Sequence, residues 1–314
     1  MIKQQIIPGL NLPEVEDKLS CWLCSALSTR LGQNTQSQTL SQINNPVYWG
    51  TSFLGLDKVT IFQNSTITEQ AMILQLCSRK LLEEAYGIEK LGLQYMEKIV
   101  LLSESIQEQM LYALYCADEA NHISQISRFL PIFPKIKIND EQIQQLEHPL
   151  LKFLMDVADT EDKAVILFVL QVVLEGWSLS HYRNLAIQCR EPNLSLILQG
   201  LLRDKSHHHG TGVILFHQMS LTQSSQELIV KTLTQFLRLM QLRHQPVIAA
   251  IAQVKGYLSR SQKIRILEEL DSESHNYTCL KFLRSLMRNP NSGAILQQLE
   301  AKAAFQPLNT SECI

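Results

Sequence analysis

The sequence predicts an all-α protein built around two antiparallel helix pairs, and three observations carry that prediction. Turn formers are scarce: 12 Gly and 10 Pro among 314 residues, roughly half of average usage, which disfavours sandwiches and propellers. Apolar residues recur at the three-to-four spacing of helices, and strand-like alternation is almost absent. Capping residues (Ser, Thr, Asn, Asp) stand just ahead of the periodic stretches, and prolines close several of them.

In chain order, a leading helix is expected over about 13–31, followed by a polar, mixed stretch over 33–66 holding Pro46 and Trp49. Ser65 and Thr66 can cap a long helix over about 67–100, and Ser103 or Ser105 the next, over about 104–129, which Pro131 and Pro134 close. Asn139-Asp140 opens a helix to about 159, and Thr160 caps another through about 189. Glu191-Pro192 breaks that helix, and its successor runs to about 219. Ser224 starts a helix reaching Pro246, and a last pair covers about 260–288 and 292–304. The chain shows no repeat of solenoid type and no low-complexity linker. A single helical domain over 1–314 is therefore expected, with its core over about 67–219, leading helices before it and outer helices over 220–314. The pairs around 67–129 and 161–219, each with a short turn and joined by a longer crossover, predict a four-helix bundle.

With 28 basic and 30 acidic residues the net charge is −2, so no field favours nucleic acid or an anionic membrane. The longest apolar stretch, Ala164 to Leu174, is interrupted by Gln171 and ended by Glu175, too short to span a bilayer. The first residues show no apolar core with a cleavage site, so a cytoplasmic location is expected. The seven cysteines are scattered and odd in number, which reads as reduced core thiols. Cys21 and Cys24 form a CxxC without a second ligand pair, and are expected to pack within a helix.

Four acids interrupt the apolar seams of the bundle helices. Glu84 falls among Leu74, Cys77, Leu81, Ile88, Leu91 and Tyr95, with Glu83 and Glu89 as competitors. Glu119 falls among Tyr112, Cys116, Ile123 and Ile126, and Glu175 among Val165, Phe168, Val172, Leu179 and Tyr182. Asp204 lies among Ile197, Leu201 and Leu215. A lone carboxylate on an apolar face costs several kcal/mol unless paired or metal-bound, so four at matched depths call for a common partner. Histidines add to the pattern. Glu119-Ala-Asn-His122 is an ExxH, and Asp204-Lys-Ser-His207-His208 offers DxxH and DxxxH, spacings that keep acid and imidazole on one helical face. The intervals, 35 residues from Glu84 to Glu119 and 29 from Glu175 to Asp204, each suit two helical arms around a turn. Four carboxylates and two imidazoles are what a carboxylate-bridged di-iron or di-manganese bundle requires. His181, off the strict face, is expected to be a satisfied core histidine, and His209 to lie at the surface or beside the ligands.

On these residues the chain resembles the ferritin-like non-haem di-iron carboxylate proteins, most closely the p-aminobenzoate N-oxygenase type. The Asp118-Glu119-Ala-Asn-His122 run, the long first interval and the length after the last ligand carry the resemblance. Asp followed by His in the last ligand helix is similar also to the haem-oxygenase-like di-iron oxidases. The resemblance implies metal ligands at Glu84, Glu119, His122, Glu175 and Asp204, with His207 or His208. It implies two Fe ions, or a Mn/Fe pair, and an oxygenase or oxidase acting on O2 and a small organic substrate. Turnover would draw on an electron-donor protein or on a substrate that supplies electrons itself, and a homodimer is expected from the apolar faces of such bundles. Lys205, beside Asp204, is expected to point outward. A metal-storage or sensing bundle and a non-catalytic helical scaffold are the alternative readings. No P-loop, GxGxxG, HExxH or GxSxG supports other chemistry.

Overall fold

The computed structural model describes residues 47–130 and 149–314. The expected leading helix, the Cys21/Cys24 pair, and the first half of the helix expected from Asn139 lie outside the described residues. Every described element is helical, and the sole extended pairing among these residues is a bridge between Trp49 and Cys189.

After short turns at Leu56–Lys58 and Thr60–Gln63, helix α1 runs from Ile67–Leu102 and α2 from Ile106–Ser127. Thr66 and Glu69 close a reciprocal capping box at the start of α1, and Ser105 accepts from the Glu108 amide at the start of α2. Helix α3 covers Pro149–Ala158. Helix α4 spans Lys163–Gln188 in two registers, π-helical over Ile166–Leu174 and α-helical from Glu175 onward. Its cap is Asp162 rather than the expected Thr160: the Asp162 carboxylate accepts from the amides of Ala164 and Val165. Helix α5 covers Pro192–Gln218, with Glu191 capping the Leu194 amide and Pro192 in the first turn.

The C-terminal third departs from expectation twice. The helix expected to reach Pro246 stops at Met240 (α6, Gln223–Met240), and Pro246 instead sits in the first turn of a new helix, α7 (Gln245–Lys255). Proline lacks only an amide that the first turn leaves unbonded anyway, so it starts a helix as readily as it ends one. The stretch 260–288 divides into α8 (Arg260–Glu269) and α9 (Ser272–Leu286) at Asp271, whose φ of 52° is left-handed. Helix α10 covers Gly293–Ala301.

Helix α1 packs along α2 and α4 along α5, and the two pairs meet where α2 lies against α5 and α1 against the π-helical stretch of α4. Residues 164–178 are all buried, because α3, α6 and α9 cover the sides of α4 that α1 and α5 leave open. A helix apolar all round belongs at the centre of a packed protein. By length and composition α4 is also apolar enough to cross a membrane, yet 89% of its most apolar window is buried inside the protein. A satellite core joins the first half of α1 (Ile73, Cys77) to α7 and α8 through Val247, Ile251, Ile266 and Leu267.

Candidate metal centre

Glu89, Glu119, Glu175 and Lys205, one from each of α1, α2, α4 and α5, converge with His122 and His208 in the interior, and each side chain is at most 2% exposed. The Glu119 carboxylate is central. Its Oε1 lies 3.1 Å from His208 Nδ1 and 3.1 Å from Lys205 Nζ, and its Oε2 lies 3.4 Å from His122 Nδ1. Glu89 Oε2 lies 2.9 Å from His122 Nδ1 and 3.2 Å from the Lys205 ammonium, while its Oε1 accepts from the Tyr182 hydroxyl. Glu175 Oε1 accepts from Tyr95 at 2.7 Å and from Lys205 at 3.2 Å. Each carboxylate on the outer side of the cluster is thus oriented by a phenol from the opposite helix pair: Tyr182 of α4 serves Glu89 of α1, and Tyr95 of α1 serves Glu175 of α4.

The histidines are crossed in the same way. His122 Nε2 lies 3.3 Å from Asp204 of α5, and His208 Nε2 lies 3.6 Å from Asp118 of α2. Both imidazoles therefore turn Nδ1 towards the carboxylates and Nε2 towards an outlying aspartate, and for His122 the hydrogen bond to Asp204 is of the kind by which a second carboxylate fixes the tautomer of a metal-ligating histidine. Close backbone approach makes room. A Cβ on Gly92 would lie 2.7 Å from the Glu119 carboxyl carbon, and one on Gly212 would lie 2.7 Å from Gln171 Cγ. Gln171 in turn accepts from Tyr112 and donates to the His208 carbonyl, tying α2, α4 and α5 together one turn from the ligands.

Charge is arranged as tightly as geometry. Burial pushes the Glu89 carboxyl above the usual carboxylate range, against the opposing pull of Lys205. Burial acts the same way on Glu119, but Lys205, His122 and His208 together hold it well below that range. Burial favours the neutral forms of the cations, yet Asp204, Glu119 and Glu89 raise His122 well above its ordinary value, and the three glutamates raise Lys205 likewise. His208 is raised to about 9 by Asp118 and Glu119 in spite of its burial. Burial, reinforced by the neighbouring Glu175 and Glu89, keeps Tyr95 and Tyr182 protonated as donors.

Two donor sets, Glu89/Glu119/His122 and Glu119/Glu175/His208, each bring three ligand atoms within 4.8 Å of one another and are disposed to hold a metal ion, with Glu119 common to both. One side chain, His208, tests the fit. His208 is fully buried, yet neither ring nitrogen makes a hydrogen bond, because the 3.1 Å approach to Glu119 is misdirected for one. An imidazole held this way, Nδ1 facing Glu119 with a Glu175 oxygen within ligand reach of the ring, suits a cation between the carboxylates better than it suits a protein partner.

Of the expected site residues, Glu119, His122, Glu175 and His208 come together. Glu84 does not: it lies outside the cluster, close enough to His181 to act on its charge, and Glu89 takes its place. The two are five residues apart, and the seam of α1 is broad enough to bury both. Asp204 stands on the outer side of His122, paired also with Arg203, rather than among the inner carboxylates. His207 is exposed. Lys205, expected outside, is fully buried at the centre. Equal intervals mark these positions: Glu89 precedes Glu119 by 30 residues, and Glu175 precedes Lys205 by 30. A shift of 86 residues superposes Glu89 on Glu175, Asp118 on Asp204, Glu119 on Lys205 and His122 on His208. His181 is a core histidine as expected, stacked on Trp177 with Arg243 3.3 Å from its Nδ1, but it is only half satisfied, since its buried Nε2 has no hydrogen-bond partner; burial lowers its pKa to about 4. Comparison with known families, curated proteins and solved structures finds nothing that matches this chain, so its own residues carry the functional reading.

Proposed function

We propose that the protein is a metal-dependent oxidoreductase whose ferritin-like helical bundle activates O2 at the Glu89/Glu119/Glu175/His122/His208 cluster to oxidise a small organic substrate. The single observation that carries the reading is the convergence of three carboxylates and two imidazoles from four helices, buried and oriented by Tyr95, Tyr182 and Asp204. Oxygen and imidazole donors suit iron and manganese. Held by Glu119 with Glu89 and His122 or with Glu175 and His208, such an ion would supply redox chemistry towards O2. The residues around it have separable tasks. Glu119 joins the two halves of the centre. Tyr95 and Tyr182 fix the rotamers of Glu175 and Glu89, and Asp204 fixes that of His122. The apolar walls contributed by α4 exclude water from the site. Inserting one oxygen atom into a substrate consumes O2, two electrons and two protons and releases water, so a donor protein or a reducing substrate belongs to the reaction.

Anaerobic loading with Fe(II), followed by stopped-flow exposure to O2, tests the reading. The loaded protein should consume O2 and develop the absorption of Fe(III), and Glu119→Ala and Glu175→Ala should do neither. Oxidation of Fe(II) no faster than in buffer would refute it. Lys205 favours a second reading, a helical scaffold in which the ammonium and two imidazolium groups neutralise the acids without any metal. Such a protein would take up no iron.

A further inference from the structure

We propose that Lys205 is a built-in replacement for one metal ion, so that the centre takes a single divalent ion on Glu119, Glu175 and His208 while the ammonium closes the half formed by Glu89, Glu119 and His122. The inference rests on the metal-centre reading above and departs from the dinuclear site that the sequence resemblance implies.

Position is the first argument. The 86-residue superposition puts Lys205 on Glu119, so the second sequence unit (Glu175 to His208) supplies an ammonium where the first (Glu89 to His122) supplies the shared carboxylate. Its Nζ contacts Glu89 at 3.2 Å, Glu119 at 3.1 Å and Glu175 at 3.2 Å, a cation among three acids with no exposed surface. Charge is the second argument. Three carboxylates and one ammonium sum to −2, which one divalent ion with a neutral His208 brings to zero, His122 being paired off against Asp204, whereas two divalent ions beside the ammonium would leave a dry interior at +2. The third is the asymmetry between the histidines. His122 is hydrogen-bonded on both sides, by Glu89 at 2.9 Å and by Asp204 at 3.3 Å. His208 is bonded on neither, although its Nδ1 faces Glu119 with Glu175 within ligand reach. The unpartnered imidazole marks the half that takes the ion, and the satisfied one marks the half that the ammonium already fills.

Mn(II) titration of the chelator-treated full chain, read by elemental analysis and electron paramagnetic resonance, tests this directly. The wild type should bind about one Mn(II) per chain with the six-line spectrum of an isolated ion. His208→Gln should lose that ion and His122→Gln should keep it. Lys205→Glu, which places a carboxylate where the superposition sets Glu119, should rise towards about two ions per chain with an exchange-coupled spectrum. About two coupled ions in the wild type would overturn the proposal while leaving the metal-centre reading intact. Retention of the ion by His208→Gln with loss by His122→Gln would also overturn it. Binding of none in the wild type would overturn both readings. The wild-type spectrum decides the stoichiometry even where a variant fails to fold.

Discussion

Replacing Lys205 by Met keeps most of the side-chain volume and removes only the charge, so it isolates what the ammonium contributes to the folded state. In the metal-free protein its loss leaves Glu89, Glu119 and Glu175 facing one another without the cation that now lies 3.1–3.2 Å from each. Three charge-assisted bonds at about 1.5–3 kcal/mol each would sum to well above 4 kcal/mol. Protonation relieves part of that, beginning at Glu89, whose carboxyl already sits above the usual range. The expected cost is therefore that of removing one partner from a buried ion pair, about 3–5 kcal/mol, a large share of a typical stability of about 5–15 kcal/mol. Urea unfolding in chelator, followed by circular dichroism, reads it as a lower midpoint at unchanged slope. Added Mn(II) should restore more stability to the variant than to the wild type, because the variant can accept a cation where the ammonium was. Saturation at a hundredfold over Kd returns about 2.7 kcal/mol per ion. A Lys205→Met protein as stable as the wild type in chelator would refute the reasoning, since the acids would then not depend on the ammonium.

Two further outcomes follow from the packing and charge of the interior. Gly92→Ala drives a methyl to 2.7 Å from the Glu119 carboxyl carbon, an overpacking of about 1–3 kcal/mol that falls on the shared ligand, so Mn(II) affinity should drop about tenfold or more by titration calorimetry. His181 is buried and His244 half-buried, and each is neutral, with its pKa lowered to about 4 by the loss of solvent around the ring. The unfolded chain takes up protons there below about 6.5 while the folded one does not until about 4, so their contribution is complete above 6.5 and is lost as pH falls towards 4. Between pH 7 and 5 each should cost about 2 kcal/mol, and His181→Gln should flatten the pH dependence of the urea midpoint by its share. An unchanged slope in that variant would show that His181 does not titrate in this way.

Much of the fold was legible because local chemistry and tertiary packing agree. The Thr66 box, the Ser105 cap and Glu191-Pro192 set boundaries that the structure keeps. The division at Asp271 left no such mark, because a left-handed aspartate is one residue in an unbroken helical pattern. In α4 the helical seam lost its meaning. Over Ile166–Leu174 the backbone is π-helical and every side is covered, so no face distinguishes one residue from another. Within the site, Glu119, His122 and Glu175 were readable as acids and an imidazole on apolar faces. Glu89 was masked by Glu84, its neighbour on an equally buried surface. Lys205 was hidden by a sound rule, that an ammonium seldom enters a core unless paired. Here three carboxylates from three other helices supply that pairing, and such partners are distant in sequence. The equal 30-residue intervals were the available signal.

Metal content per chain, measured by elemental analysis on full-length protein purified without chelators and again after anaerobic reconstitution with Fe(II), tests the central claim most directly. A buried cluster of three carboxylates and two imidazoles that serves as a metal centre should hold about one iron or manganese per chain, and Glu119→Ala should hold substantially none. Wild-type protein that stays free of metal after reconstitution would contradict the account and leave a closed ion cluster at the heart of a helical scaffold.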